Sequence, residues 1–366
     1  MIFDKRLLKD FDKTLLAITF IICVGGLFIL HSATQVKSLP FVESYLFRQI
    51  SWIALAAGML LFIINISYQK FIDISYALYA INITLLVFVL ILGRERLGAQ
   101  RWFAIGDFAF QPSEFIKISF ILVLASILGS KRVDMERAGG LVLPLLSLAI
   151  PFLLVLVQPD LGTAMLLIPI FFAMMYVAGA RVKHLVILVL TGLAASPFFW
   201  HFLRDYQKQR LLVFLNPNVD PLGAGYTIIQ SKIAVGSGGL TGKGWLAGTQ
   251  NQLNFLPERH TDFIFSVIGE EWGLSGALIL IFLFFLIVRR SLDIACSTND
   301  MHGKLVAVGI VTLLTLQVVI NIAMTIGFMP VVGIPLPLVS YGGSSMLTSF
   351  IAIALLLNVG MRRSRF

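Results

Sequence analysis

Ten stretches of nearly continuous apolar sequence run along the chain, at 14–33, 48–66, 74–92, 113–130, 141–157, 163–180, 184–202, 263–288, 304–328 and 342–360. A helix rises 1.5 Å per residue, so each stretch is long enough to cross about 30 Å of hydrocarbon. A membrane β-barrel would instead show segments of about ten residues with alternating polarity. The fifth and sixth stretches are parted only by Gln158-Pro159-Asp160-Leu161-Gly162, whose Pro, Asp and Gly suffice to close a helical hairpin. The pattern predicts an all-α polytopic membrane protein over residues 1–366, with one long external segment, 203–262, between the seventh and eighth helices.

Two external segments break the rule of short polar turns. Segment 93–112 carries Arg94, Arg96 and Arg101, and the long loop places Tyr226, Ile229 and Ile233 at helical spacing. The latter predicts a short amphipathic helix against the outer membrane face. A loop this long is unusual unless it is functional. Ionisable groups inside spans are costly in hydrocarbon and mark candidate sites. Glu114 and Lys117 are three apart on one helical face, which fits a packing ion pair as well as a substrate role. Asp160 fits both an N-cap and a substrate contact. Asp262 stands where the long loop meets the eighth span, and Glu270 and Glu271, two turns deeper, read as helix-packing partners. Pro335-Leu336-Pro337 and Ser340 to Ser345 interrupt the helical pattern at membrane depth, where irregular backbone has to be enclosed by protein or line a cavity.

Composition agrees with this reading. Apolar residues make up 58 % and charged residues 13 %, about half the charge of a soluble globule, and the mean hydropathy is +0.91. The net charge of +9 is explained by Lys and Arg gathered on one side: 16 of the 28 fall in segments that become cytoplasmic if the amino terminus is inside. Both ends are then cytoplasmic. No basic run interleaved with aromatics suggests a nucleic-acid partner. The segment before the first span mixes acids with bases and leads to no small-residue cleavage site, so that span reads as an uncleaved anchor. Cys23 and Cys296 fall in a span and a cytoplasmic loop, which argues against a disulfide. The five histidines are scattered without metal-ligand spacing.

The polar motifs together resemble one family, the shape, elongation, division and sporulation (SEDS) proteins. They are Gln111-Pro112-Ser113-Glu114-Phe115-Ile116-Lys117, Gln158 to Ala164, Asn216-Pro217, Asp220 to Tyr226, Gln230-Ser231, Gly236 to Gly239, Leu256-Pro257-Glu258-Arg259-His260-Thr261-Asp262-Phe263, and Pro335 to Ser345. The run Gln252 to Phe255 and Trp272 after the paired glutamates fit the rod-shape branch better than the division branch, while Asn218 departs from a family position that is often aromatic. The resemblance implies ten helices, glycosyl transfer from lipid II at the outer leaflet during cell elongation, and a class B penicillin-binding protein as transpeptidase partner within a larger elongation complex.

The chemistry implied is attack of a sugar 4-hydroxyl on C1 of a second sugar, with undecaprenyl diphosphate leaving. A positioned base aids such an attack, and Asp262, ionised at neutral pH if its pKa is the ordinary value of about 3.9, is the candidate catalytic residue. Diphosphate needs charge neutralisation rather than a proton, which fixed cations supply. Arg48, Arg101, Lys117 and Arg210 are candidates for that role, and Glu114, Asp160 and Ser344 complete the expected substrate-binding set. No cofactor is evident; a divalent cation could share the work, but the sequence defines no site for one. With one base and no evident nucleophile, direct displacement with inversion is the simpler course. Two other readings fit the same membrane residues, a lipid II flippase and a non-enzymatic scaffold of the elongation complex.

Overall fold

The computed structural model describes residues 10–35, 44–96, 99–105, 108–130, 138–202, 205–221 and 223–363. Lys5, Arg6, Lys9, Lys131, Arg132, Arg137, Arg204 and Arg365, part of the charge pattern above, lie outside the described residues. In chain order the helices are α1 (Lys13–Thr34), α2 (Tyr45–Asn65), α3 (Tyr68–Asp73), α4 (Ser75–Leu92), α5 (Pro112–Gly129), α6 (Val142–Val157) and α7 (Leu161–Val177). They continue as α8 (Val182–Phe202), α9 (Asp205–Leu215), α10 (Ala224–Ser237), α11 (Thr249–Gln252), α12 (Ile264–Ser297), α13 (Met301–Thr325) and α14 (Gly343–Arg362). Each of the ten expected spans corresponds to a helix. Eight are long and apolar enough to cross a membrane, and α7 and α8 carry shorter apolar stretches.

The bundle has an inside and an outside. Helix α14 is 94 % buried over its apolar window and α5 is 83 %, so these two form the centre. Around them α4, α6 and α8 turn Leu, Ile, Val and Phe outward, as expected when the solvent is lipid. Polar side chains in the interior satisfy backbone ends. Asn358 of α14 donates to the carbonyl of Ile63, 2.6 Å away, and accepts from the Tyr68 amide, and Arg362 donates to Ile64. Together they meet carbonyls that the end of α2 leaves without helical partners.

Two features were not in the sequence pattern. The arginine-bearing loop expected at 93–112 carries three antiparallel strands that form one sheet, β1 (Arg94–Arg96), β2 (Ala99–Ile105) and β3 (Phe108–Phe110). Three short strands make too weak an alternation to register beside apolar runs of twenty. The amphipathic helix around Tyr226 is present as α10, but it packs into the bundle against α12 and α13. Ser231 bonds Ser266 at 2.6 Å and donates to the carbonyl of Thr325.

Helix α12 is broken. Gly273 has φ +63° and ψ −158°, which interrupts the helix. The carbonyls of Glu270 and Glu271 accept instead from the amides of Lys243 and Gly244, both at 3.0 Å. The amides of Leu274 and Ser275 donate to Gly239 and Leu240 at 2.9 and 3.0 Å. Segment 238–244 thus restores the four bonds that the break removes, the condition for irregular backbone at membrane depth. Before the break, Ile264 to Glu271 are buried on every side; after it, Leu274, Leu278 and Ile279 face outward. A Cβ at Gly273 would stand 2.4 Å from the Gly242 nitrogen, and the positive φ strains any other residue by about 1–3 kcal/mol. Gly273→Ala should therefore lower the thermal unfolding midpoint of the purified protein. Gly58→Ala, where a Cβ meets nothing within 4 Å, should leave it level or raise it; equal midpoints for the two variants would contradict this account of the break.

Candidate active site around Asp262

Asp262 ends the long loop two residues before α12, and three elements fix its backbone. Its carbonyl accepts from Asn321 of α13 at 2.9 Å, and the same amide reaches the Ile334 carbonyl at 2.8 Å. The Ser340 hydroxyl donates to the Thr261 carbonyl at 2.6 Å, and the Tyr341 amide to that of His260 at 2.9 Å. Gln49 of α2 in turn holds the Ser340 carbonyl at 3.1 Å. The helix-breaking run 330–342 is therefore the frame of the Asp262 turn. Gly333 (φ +73°) lies against the carboxylate, where an added Cβ would stand 3.4 Å from Oδ2.

Beside Gly333 a recess is lined by Val332, Val331 and Pro330, by Pro159 and Leu161 of the α6–α7 turn, by Gln207, Arg210 and Leu211 of α9, and by Arg101 of β2. Sheet and turn meet through Arg101, which donates to the carbonyls of Gln158 and Pro159 and pairs with Asp160 Oδ1 at 3.6 Å. Arg210 donates to the Val331 carbonyl at 3.2 Å. Close approach of α7 to this wall requires Gly162, where a Cβ would meet the Val332 carbonyl oxygen at 2.6 Å.

Asp160 is 2 % exposed and caps α7 through the Thr163 amide and hydroxyl, and its Oδ2 also accepts from Ser113 at 3.1 Å. Its capping reading is correct, and its pairing with Arg101 places it beside the recess as well. Glu114 and Lys117 form a buried ion pair of 2.8 Å, with Thr348 of α14 donating to the second Glu114 oxygen at 3.2 Å. Neither lines the recess; they stand on the α14 side of α5. Ser344 accepts from the Gln111 amide at 3.0 Å, which links that network to the motif before α5. Arg48 lies half-buried in the first turn of α2, next to Gln49. Of the candidates, Arg101 and Arg210 line the recess, Asp160 and Asp262 stand next to its lining, Glu114, Lys117 and Ser344 form a neighbouring network, and Arg48 does not line the recess. Gln207, buried in the wall of the same recess, was not among the candidates; a lone Gln in a polar stretch carries no signal until the fold encloses it.

The Asp262 carboxyl does not keep the ordinary carboxylate pKa assumed from sequence. Burial, foremost, and the nearby negative charge of Glu258 push it up to about 6, against the opposing pull of Arg210 and Arg101, with Asp160 adding a further upward push. Among the described residues no three His, Cys, Asp or Glu side chains gather closely enough to hold a metal ion. The arrangement is a carboxyl whose pKa is pushed up to about 6 by burial, beside a recess edged by two guanidinium groups.

Comparisons with known proteins agree over nearly the whole chain. The family model described as cell cycle protein, covering FtsW, RodA and SpoVE, matches residues 13–365. The peptidoglycan glycosyltransferase MrdB of Escherichia coli K12 is 40 % identical over 353 residues, 96 % of this chain and 94 % of that protein. The stage V sporulation protein E of Bacillus subtilis is 39 % identical over 362 residues, 97 % of this chain and 98 % of that one. Among solved structures, a chain from a peptidoglycan synthase complex that coordinates polymerization and crosslinking superposes with a TM-score of 0.82 at 34 % identity, covering 97 % of this chain and 99 % of that one. The Thermus thermophilus rod shape determining protein RodA gives a TM-score of 0.73 at 30 % identity, covering 96 % and 97 %. With the Asp262 frame, the ten-helix bundle and these matches, the chain belongs to the FtsW, RodA and SpoVE family of polytopic membrane proteins, the SEDS family.

Proposed function

We propose that this chain is a peptidoglycan glycosyltransferase that joins lipid II disaccharides into glycan strands at the outer face of the bacterial cytoplasmic membrane, with Asp262 as general base. The observation that carries the reading is the Asp262 carboxyl beside a recess edged by Arg101 and Arg210. The relatives named peptidoglycan glycosyltransferase support the same activity. In this reading both termini lie in the cytoplasm; an even number of spans puts them on one side, and the Lys and Arg asymmetry supports the cytoplasmic one.

In the reaction the 4-hydroxyl oxygen of the acceptor sugar forms a bond to C1 of the donor sugar, and its proton passes to Asp262. The bond from C1 to the diphosphate oxygen breaks, and its electron pair leaves with undecaprenyl diphosphate. Arg101 and Arg210 neutralise that departing charge, while Asp160 orients the Arg101 guanidinium. Attack opposite the leaving group inverts the α donor to a β product. A positioned base contributes about 100- to 10,000-fold when its pKa lies near the working pH, and a value of about 6 meets that condition. The lipid tail of the substrate stays in the bilayer while its sugars reach the loop face of the bundle. The partner is a class B penicillin-binding protein, which supplies the crosslinking step; the superposition on a synthase complex that couples polymerization to crosslinking supports this assignment.

The direct test is gel analysis of glycan products from purified protein supplied with lipid II. Wild type should yield strands and Asp262→Ala none, with membrane insertion intact; strands from the variant, or lipid II movement across vesicles without polymer, would overturn the proposal. The rate should fall about tenfold per pH unit below about 6, because Asp262 is then protonated and cannot accept the hydroxyl proton. Glu258→Gln removes a charge that raises the pKa, so its acid limb should move to lower pH; an unmoved limb contradicts the electrostatic assignment. Lys117→Ala should lower both polymerisation and thermal stability, since it leaves Glu114 buried without its cation at a cost of about 3–5 kcal/mol. The double change Glu114→Gln with Lys117→Met should recover most of the stability. Full polymerisation by that double variant would reduce the pair to a packing role.

A further inference from the structure

A second set of charged side chains is buried at the break in α12, away from the Asp262 recess. Glu270, its side chain 1 % exposed, pairs with Lys243 at 2.7 Å, and the Lys243 side chain is 27 % exposed. The same Glu270 oxygen accepts from the Thr249 hydroxyl and the Gln250 amide, both at 3.0 Å. Glu271 accepts from Ser32 of α1 at 2.5 Å and from the Leu246 amide at 3.4 Å. Of these contacts only Ser32 belongs to a membrane helix; the others come from residues 243–250 of the loop. The two glutamates were expected to join helix to helix, yet they mainly join a helix to a loop.

We propose that Lys243 and Glu270 are positioning residues for glycan polymerisation: their ion pair seats the 238–252 loop in the break of α12 and so fixes the buried segment that carries Asp262. The inference rests on Asp262 being the base. The break severs Ile264 to Trp272 from the outward-facing part of α12, because the four backbone bonds across it run through residues 239–244. The position of that short segment is then set by what grips it. Three grips have been identified: α10 through Ser231, α1 through Ser32, and the loop through Glu270. Only the last involves a cation, and it sits directly beside the backbone exchange, since the Lys243 amide bonds the Glu270 carbonyl while its ammonium bonds the Glu270 side chain. Loss of that ammonium leaves a buried carboxylate with neutral donors alone and loosens the loop and the break together. Asp262 lies two residues before the segment, so a shift there is passed to the base. A misplacement of about 1 Å at a reacting group can cost up to about 100-fold in rate.

The test uses the full chain in detergent or nanodiscs. Lys243→Met should lower kcat with little change in KM, and Lys243→Arg, which keeps the ion pair, should restore it. Hydrogen exchange supplies a readout independent of activity: Lys243→Met should speed exchange in 243–252 and in 264–272 together, with 278–297 unchanged. Equal kcat for Lys243→Met and wild type, or faster exchange confined to 243–252, would overturn the proposal. If instead Asp262→Ala keeps polymerising while the two segments loosen together, the base assignment fails and the mechanical coupling stands.

Discussion

Backbone that leaves helical geometry within a bilayer has to find its hydrogen bonds inside the protein, since lipid offers none. Every unusual feature of this molecule follows from that constraint. The non-helical runs 238–248, 256–263 and 330–342 stand at the ends and breaks of spans, and each is satisfied by another element. Ser340, Tyr341 and Asn321 bind the Asp262 turn, while residues 239–244 take over the bonds missing at Gly273. A single carboxylate can therefore be held in an irregular turn at the lip of a lipid-embedded bundle without leaving peptide groups bare.

The same enclosure that satisfies the backbone tunes the chemistry. Burial, together with Glu258, lifts the Asp262 carboxyl into the range where a base is useful near neutral pH, and the guanidinium groups of Arg101 and Arg210 stop it rising further. In the proposed reaction the same guanidinium groups would also receive the leaving diphosphate, so that one pair of cations would serve two ends. The small sheet explains why Arg101 is available for this. Strand β2 carries it to the α6–α7 turn, where two carbonyls and Asp160 hold it.

The spans were legible because twenty apolar residues in a row have few other uses, and the helix boundaries differ from expectation by only a few residues, except that α12, expected to end at 288, continues to Ser297. Asp160 was legible because an acid after Pro159 between two apolar runs stands out, and Asp262 because it closes the long loop where an apolar run begins, within a motif the family shares. Three things were not. The strands around Arg101 are too short to show alternation. The break at Gly273 sits in a run that reads as helix on both sides, and only the positive φ and the crossing loop reveal it. The raised pKa of Asp262 depends first on burial, and the opposing pull comes from Arg210 and Arg101, which stand far away in sequence and which no local pattern brings together with it. Glu270 and Glu271 show the same limit: their type marked them as special, but their partners in the loop became known only from the fold.

The central claim is that the carboxyl whose proton affinity is raised is also the group that accepts the proton in catalysis. The most direct measurement follows both at once. Infrared titration of the carboxyl band absent from Asp262→Asn, in reconstituted protein, would be set beside the pH dependence of single-turnover strand synthesis. This account predicts that both share one midpoint near 6. A carboxyl that titrates in the ordinary range near 4, or a rate that passes through pH 6 without change, would contradict it.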